Sequence, residues 1–275
     1  MSNRQADQVA TLNLADYVQH SVVLEAETWL RHGITTRVAG LGLAEGNVGY
    51  TAPRDEADAW AMRQLWCRAI GVDPATMIRV RQIHGSTVHN ANRTDLARGA
   101  APDASESPIG DAVVTNVPNL ALTTLHADCL AILVADPKCR AVGAIHAGWR
   151  STVLDIAGET IRTMQTAFGS DPADVLVYIG PSIGFERYEV GADVALGWER
   201  RTIERPDILA QRGDRWHFDL KLANRALLEE AGVLPQNIET SSICTADEGD
   251  RWFSHRGQGP NTGRFAAIIS INGDI

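Results

Sequence analysis

The stretch Thr123 to Arg150, TTLHADCLAILVADPKCRAVGAIHAGWR, constrains this chain more than any other. Two apolar runs, Cys129 to Ala135 and Ala141 to Ile145, flank the turn-forming segment Asp136-Pro137-Lys138-Cys139-Arg140. Short apolar runs bounded by turn residues read as buried strands, and so short a connection makes them an antiparallel hairpin. With the turn centred on Lys138, Cys129 falls opposite Ala147 and His146 opposite Leu130, with opposed Cα atoms about 5 Å apart. A thiol and an imidazole then meet at one end of the hairpin. His126 and Asp128 stand just before that end, and Gly148-Trp149-Arg150 just after it. A free Cys usually behaves as a small buried hydrophobe. Here, however, it follows His-Ala-Asp and faces a second His, and polar groups at the mouth of a buried strand pair need partners. Chemistry is expected at this end.

Strands apolar on both faces need cover on both faces. A chain of 275 residues with 44% hydrophobic content is long enough to provide it. The net charge of −9 argues against a general nucleic-acid or anionic-membrane binder, while leaving local basic pockets open. The cysteines Cys67, Cys129, Cys139 and Cys244 form no CxxC and no dense framework, which points to a reducing compartment. The first twenty residues carry Asp7 and Asp16 and no apolar core, so they are not a signal peptide. No run approaches the roughly 18–20 apolar residues of a membrane span. A cytoplasmic protein is expected.

Residues 1 to about 20 read as a loosely held polar arm, followed by one catalytic domain over 21–275. The glycine-rich stretch after His32 offers Arg37 and Asn47 as candidate ligand contacts. Asp55 caps a helix to about Ile70, with Trp60, Leu65, Ala69 and Ile70 as its buried candidates and Gly71 as its stop. Met77 to Ile83 alternates as a strand that delivers His84-Gly85. Residues 92–110 lack periodicity, as a functional loop does. Asp111 to Thr115 and Leu120 to Leu125 feed the hairpin as further strands. A helix starts at Thr152-Val-Leu-Asp155 as in a capping box and ends at Gly169. Its beginning, just past Arg150, is a ready anion site. Val175 to Ile179 is a strand, residues 203–215 a charged loop, and Trp216 to Leu220 extended, with Asp219 capping a helix towards Gly232. Ile238 to Cys244 and Phe265 to Ile271 are the last strands. Between them, Arg256 and Arg264 lie in a glycine-rich loop and could hold a phosphate bidentately. Helices falling between groups of strands that pair largely antiparallel make an α+β sandwich.

Several segments resemble one family in their order along the chain. These are Arg81-Gln-Ile-His84-Gly85, Ala127-Asp128-Cys129, His146-Ala-Gly-Trp-Arg150, Ile179-Gly-Pro181, Tyr188-Glu-Val-Gly191 and Ser254 to Arg264. The chain is identified by them as similar to the YfiH family, also called the multicopper polyphenol oxidoreductase (laccase) domain, over about His32 to Ile271. The family includes purine nucleoside phosphorylases and a peptidoglycan editing factor. The resemblance implies a four-layer α-β-β-α sandwich with mixed, largely antiparallel sheets. It also implies a zinc site made by His84, Cys129 and His146, the expected catalytic residues. Departures are Ser182 in place of the loop's cysteine, Ser151 in place of a glycine, Met62 before Arg63 in place of an asparagine, and the extra imidazole of His126 near the metal.

Two imidazoles and a thiolate with a fourth position open are the layout of catalytic rather than structural zinc. The same ligands with an axial Met suit blue copper, which keeps copper as the alternative. A multicopper laccase needs further histidines in HxH pairs, and this chain has eight His and no such pair. The resemblance implies phosphorolysis of adenosine, inosine or methylthioadenosine, with adenosine deamination at the same site. The partners are then a purine nucleoside and inorganic phosphate, and Arg63, Arg150, Arg256 and Arg264 are the cations for the phosphate. Competing readings are a copper-dependent polyphenol oxidase and an amidase editing peptidoglycan precursors, with Cys129 as nucleophile and His146 as base. A zinc-stabilised binding module is the non-enzymatic alternative.

Overall fold

The computed structural model describes residues 12–51, 55–201, 203 and 205–273. Its strands are β1 (Leu30–Ile34), β2 (Met77–Arg79), β3 (Val88–Asn90), β4 (Ala112–Thr115), β5 (Ala121–His126), β6 (Leu130–Asp136) and β7 (Ala141–Ala147). They continue with β8 (Leu176–Ile179), β9 (Glu189–Val190), β10 (Leu209–Arg212), β11 (Arg215–Phe218), β12 (Ile238–Thr240) and β13 (Phe265–Ile271). The helices are α1 (Val22–Glu25), α2 (Glu56–Ile70), α3 (Trp149–Val153), α4 (Ile156–Phe168), α5 (Ala192–Glu199), α6 (Leu220–Glu230) and α7 (His255–Gln258).

Every residue of β6 and β7 is buried, as strands covered on both faces require. They form the middle of a six-stranded sheet ordered β12-β8-β6-β7-β4-β3. A four-stranded sheet runs β1-β13-β5-β2, and a small one β10-β11-β9. Pairing is antiparallel except where β2 joins β5, β3 joins β4 and β12 joins β8. The class is α+β with mixed, largely antiparallel sheets. Three apolar clusters separate the elements. Leu130, Ile132 and Ile145 pack with Ile161 and Met164 of α4 and Leu227 of α6. Ala131, Leu133 and Ala144 point the other way, onto Leu122, Phe265 and Ile269 of the four-stranded sheet. Ala121 and Ile268 of that sheet then meet Met62, Trp66 and Ile70 of α2.

The hairpin register differs by one residue from the expected one. Asp136 pairs with Ala141 and Leu130 with Ala147, so His146 lies opposite Ala131 and not Leu130. The connection is an even turn, Pro137 to Arg140, and Arg140 takes a left-handed φ of 51°. The difference decides the site, because side chains alternate between faces. In the expected register Cys129 and His146 would project to opposite faces. In the observed one Cys129 and His146 are diagonal neighbours on the same face, within reach of long side chains.

Other expectations shift in detail. Asp55 caps α2 by accepting the Asp58 N–H, and Gly71 ends it in the left-handed region at φ 84°. Its buried stripe is Ala59, Met62, Arg63, Trp66, Cys67 and Ile70; Trp60, Leu65 and Ala69 are only partly covered. The stripe follows helical spacing, with a buried arginine inside it. The helix expected from Thr152 is two helices. The Thr152 N–H and hydroxyl both donate to the Gly148 carbonyl, while Asp155, left-handed at φ 66°, caps α4. The strand expected to reach Ile83 ends at Arg79. Within 203–215, Leu209–Arg212 form β10, paired only with β11 and hidden from sequence by its polar edge. Of the expected arm, residues 1–11 lie outside the described residues, while Val18 is buried and Gln19 bridges to Ile34.

His32 of β1 is buried and accepts the Ser21 N–H on Nε2. Burial, with the nearby His20, lowers its pKa from 6.5 to about 4. The unfolded chain therefore takes up this proton at a higher pH than the folded one. The contribution of His32 to stability is fully present above pH 6.5 and is lost as the pH falls towards 4. Urea unfolding of the wild type should lose about 2 kcal/mol more between pH 7 and pH 5 than His32→Gln does. Equal losses would contradict this account.

Candidate metal centre and active site

The His84, Cys129 and His146 donor atoms lie within 4.8 Å of one another. His146 comes from the end of β7, Cys129 from the bend before β6, and His84 from the loop after β2. The Cys129 Sγ is 3.9 Å from the His84 Nε2, and the two imidazoles meet edge to face at 4.9 Å. Tetrahedral ligands with bonds of about 2.0–2.3 Å stand about 3.5 Å apart, so small side-chain rotations close the set around one ion.

The site is organised by Asp111, a fully buried residue just before β4. Its carboxylate accepts the backbone N–H groups of Ile83, His84 and Gly85. It also bonds the His146 Nδ1 at 2.9 Å, and its carbonyl accepts the His146 N–H. This fixes the His146 ring with Nε2 turned to the other ligands, the carboxylate–histidine arrangement that metal sites use to orient a ligand. It also holds His84 in a left-handed conformation, φ 58°, which is unfavourable for a residue with a Cβ. Burial alone would raise the Asp111 pKa, but hydrogen bonds from His146 and the Gly85 and Ile83 amides lower it overall.

Burial likewise opposes ionisation of Cys129, yet the charge and hydrogen bonds of His146 and His84 bring its thiol down to about 6. His146 responds in the opposite sense: burial lowers its pKa, and the thiolate and Asp111 raise it to about 9. A thiolate facing an imidazolium is a donor set that binds a divalent ion by releasing the His146 proton. Gly148 completes the fit, since a Cβ there would stand 2.9 Å from the His84 Cδ2 and 3.0 Å from the Cys129 Sγ. The residues thus suit a metal ion. Among the described residues no methionine lines the site, so blue copper lacks its axial ligand.

His126 is not a free ligand. Its Nε2 bonds the Thr124 hydroxyl and its Nδ1 lies 3.2 Å from the Cys129 carbonyl, while its ring stacks on Phe265. Asp128, left-handed at φ 80°, binds three segments together. Its carboxylate accepts the Thr245 hydroxyl and the Arg256 N–H, and its carbonyl accepts the Ile183 N–H. Although Ser182 removes the expected thiol from its loop, the Cys244 Sγ accepts the neighbouring Gly184 N–H.

These groups open onto a cavity of about 580 Å³. Arg63, Arg256 and Arg264 lie on its wall; Arg37, Asn47 and Arg150 do not. Arg37 pairs with Glu45. Asn47 is buried and braces Gly49 and the Arg264 N–H. Arg150 is exposed and stacked on Trp149 at 4.3 Å, and the helix that begins there is a short turn capped by Gly148. Wall residues given no role from the sequence include Tyr50, Arg79, Arg81 and Tyr188. Arg81 and Tyr188 stand in the segments that carry the family resemblance, while Tyr50 and Arg79 carry no such signal.

Residues 31–272 match the family model described as multi-copper polyphenol oxidoreductase laccase. The chain belongs to that family. It is 36% identical over 248 residues to a purine nucleoside phosphorylase of Deinococcus radiodurans, covering 87% of this chain and 88% of the relative. It is 29% identical over 250 residues to purine nucleoside phosphorylase LACC1 of Mus musculus, covering 87% of this chain but spanning only 55% of that longer protein. The crystal structure of the Bacillus licheniformis hypothetical protein YfiH superposes with a TM-score of 0.85 at 29% identity, over 90% of this chain and 95% of that one.

The carboxylate of Asp111 is the support that can be removed without touching a ligand. Asp111→Asn keeps the size but not the charge, and should weaken zinc binding about 10–100-fold in competition with a chromophoric chelator. An unchanged affinity would show that the two histidines orient themselves without it.

Proposed function

We propose that this chain is a zinc-dependent purine nucleoside phosphorylase, acting on adenosine, inosine or methylthioadenosine and deaminating adenosine at the same site, within one catalytic domain. The observation that carries the reading is the convergence of His84, Cys129 and His146 at the wall of a cationic cavity, supported by relatives named for this activity. In phosphorolysis a phosphate oxygen bonds to the ribose C1′ as the bond from C1′ to the purine nitrogen breaks. The bonding electrons leave with the purine, which takes a proton. The protein's part is to hold phosphate beside the nucleoside and to spread its charge over arginines. Burial raises the Tyr188 pKa, so this cavity-wall hydroxyl stays protonated and is able to donate a hydrogen bond to a substrate. Zinc held by His84, Cys129 and His146 supplies Lewis acidity.

The amidase reading differs in needing the Cys129 thiolate free of metal, with His146 as its base. Trapping a covalent adduct at Cys129 during turnover would favour it.

Incubation with inosine and phosphate should give free hypoxanthine and ribose 1-phosphate in equal amounts. Cys129→Ala should lose at least about 100-fold in rate, within the range that removal of an essential catalytic group costs, while its melting temperature stays close to that of the wild type. Base release that does not depend on phosphate would overturn phosphorolysis. A Cys129→Ala variant that unfolds would point to structural zinc.

A further inference from the structure

Many arginines of this protein pair with carboxylates, as Arg37 does with Glu45, Arg162 with Asp155 and Arg212 with Glu186. The cavity wall is different. Arg63, Arg79, Arg81, Arg256 and Arg264 all line it, and none forms an ion pair with a described carboxylate. Asp128, the one carboxylate on that wall among the described residues, has both oxygens engaged by Thr245 and the Arg256 N–H. A chain of net charge −9 has carboxylates in excess, yet among the described residues none pairs with these cations. Positive charge gathered in a low-dielectric cleft concentrates anions there.

Arg63 marks where the anion belongs. It is 1% exposed, on the buried stripe of α2. Its Nε donates to the Val48 carbonyl and its Nη1 to the Gly99 carbonyl, while its Nη2 has no partner among the described residues. The Tyr50 ring stacks on the guanidinium at 3.7 Å. Arg79 donates to the same Gly99 carbonyl, so two like charges share one neutral acceptor. Arg81 follows two residues later on an extended segment, and both side chains reach the cavity. A buried cation held only by neutral carbonyls among the described residues is costly, and an oxyanion drawn to its unpaired, buried donor would supply the missing charge.

Arg256 has a different task. Its guanidinium donates to the carbonyls of Arg187 and Glu189, and its own N–H to Asp128. These bonds latch α7 onto the segment around Tyr188.

We propose that Tyr50, Arg63, Arg79, Arg81 and Arg264 form the subsite for the phosphoryl oxyanion, and that Arg256 is a latch outside it. The ligand is orthophosphate, an inference that rests on the phosphorylase reading. The same chemistry would accept the phosphate of a nucleoside 5′-monophosphate.

Direct equilibrium binding, with no turnover, separates the two claims. Orthophosphate should bind the wild type saturably in calorimetry at low ionic strength. Arg63→Lys and Arg81→Ala should each weaken it at least about five-fold, because a planar donor pair or a full charge is lost. Arg256→Ala, which removes a charge from the same wall but no donor of the subsite, should weaken it less than Arg81→Ala does, and Arg150→Ala, off that wall, should change it less than about two-fold. Should Arg63→Lys lose its cooperative melting transition, exposed Arg81→Ala decides. No saturable binding, or equal weakening by all the variants, would overturn the subsite. Arginine-dependent binding of a nucleoside 5′-monophosphate without binding of orthophosphate would overturn the choice of ligand. Binding as predicted in a protein without phosphorolysis would leave the subsite standing and remove the phosphorylase reading.

Discussion

The Asp111 carboxylate ties together parts of the chain that have no other reason to meet. It caps the Ile83-His84-Gly85 turn through three amides and fixes the His146 imidazole through Nδ1. The turn must place His84 in a backbone conformation that costs of order 1 kcal/mol or more, and amide hydrogen bonds to a buried anion are strong enough to hold it there. The anion itself is tolerable in the interior because it is saturated with donors. Remove that saturation and both histidines lose their orientation. Asp128 works in the same way on the other side of Cys129, joining the Ile183, Thr245 and Arg256 segments. Two buried carboxylates thus frame the thiol, and neither belongs to the compact His84, Cys129 and His146 donor set.

How much of this could be read beforehand follows from the range of each interaction. The ends of α2, the strands β5, β6, β7 and β13, and the capping of α6 by Asp219 depend on local propensity and spacing, and they appear where expected. The hairpin was legible, but its turn length was not. Moving the centre by half a residue, from Lys138 to between Lys138 and Cys139, flips the face on which His146 projects. The buried stripe of α2 was misplaced because hydrophobicity ranks Trp60 above Arg63, while the structure buries the arginine under Tyr50. The roles of Asp111 and Asp128 stayed hidden. A carboxylate at a strand end carries no local sign that its partners lie 26 to 35 residues away, or 117 to 128. Arg37, Asn47 and Arg150 lie off the cavity wall. Polar residues in a glycine-rich or helix-start segment look ready for a ligand, and here they brace the fold, pair with Glu45 or stack on Trp149.

The cavity places two kinds of chemistry side by side. A compact donor set of two imidazoles and a thiol stands at one part of its wall, and guanidinium groups with no carboxylate partner among the described residues stand along another. The segment from Arg79 to His84 joins them, so a short piece of chain sets the spacing between cation and metal ligand. A substrate bridging the two would need a centre for Lewis-acid or thiolate chemistry and a group of negative charge beside it. Nucleoside and phosphate together meet that description. The laccase name of the family rests on redox chemistry, for which the site offers no methionine ligand and no second histidine cluster among the described residues.

The central claim is that His84, Cys129 and His146 bind one zinc ion together. X-ray absorption at the zinc edge of the zinc-loaded protein tests it directly. One sulfur at about 2.3 Å with nitrogen or oxygen neighbours at about 2.0–2.1 Å is predicted, and the sulfur shell should vanish in Cys129→Ser. A shell of nitrogen and oxygen alone, identical in the wild type and the variant, would contradict it.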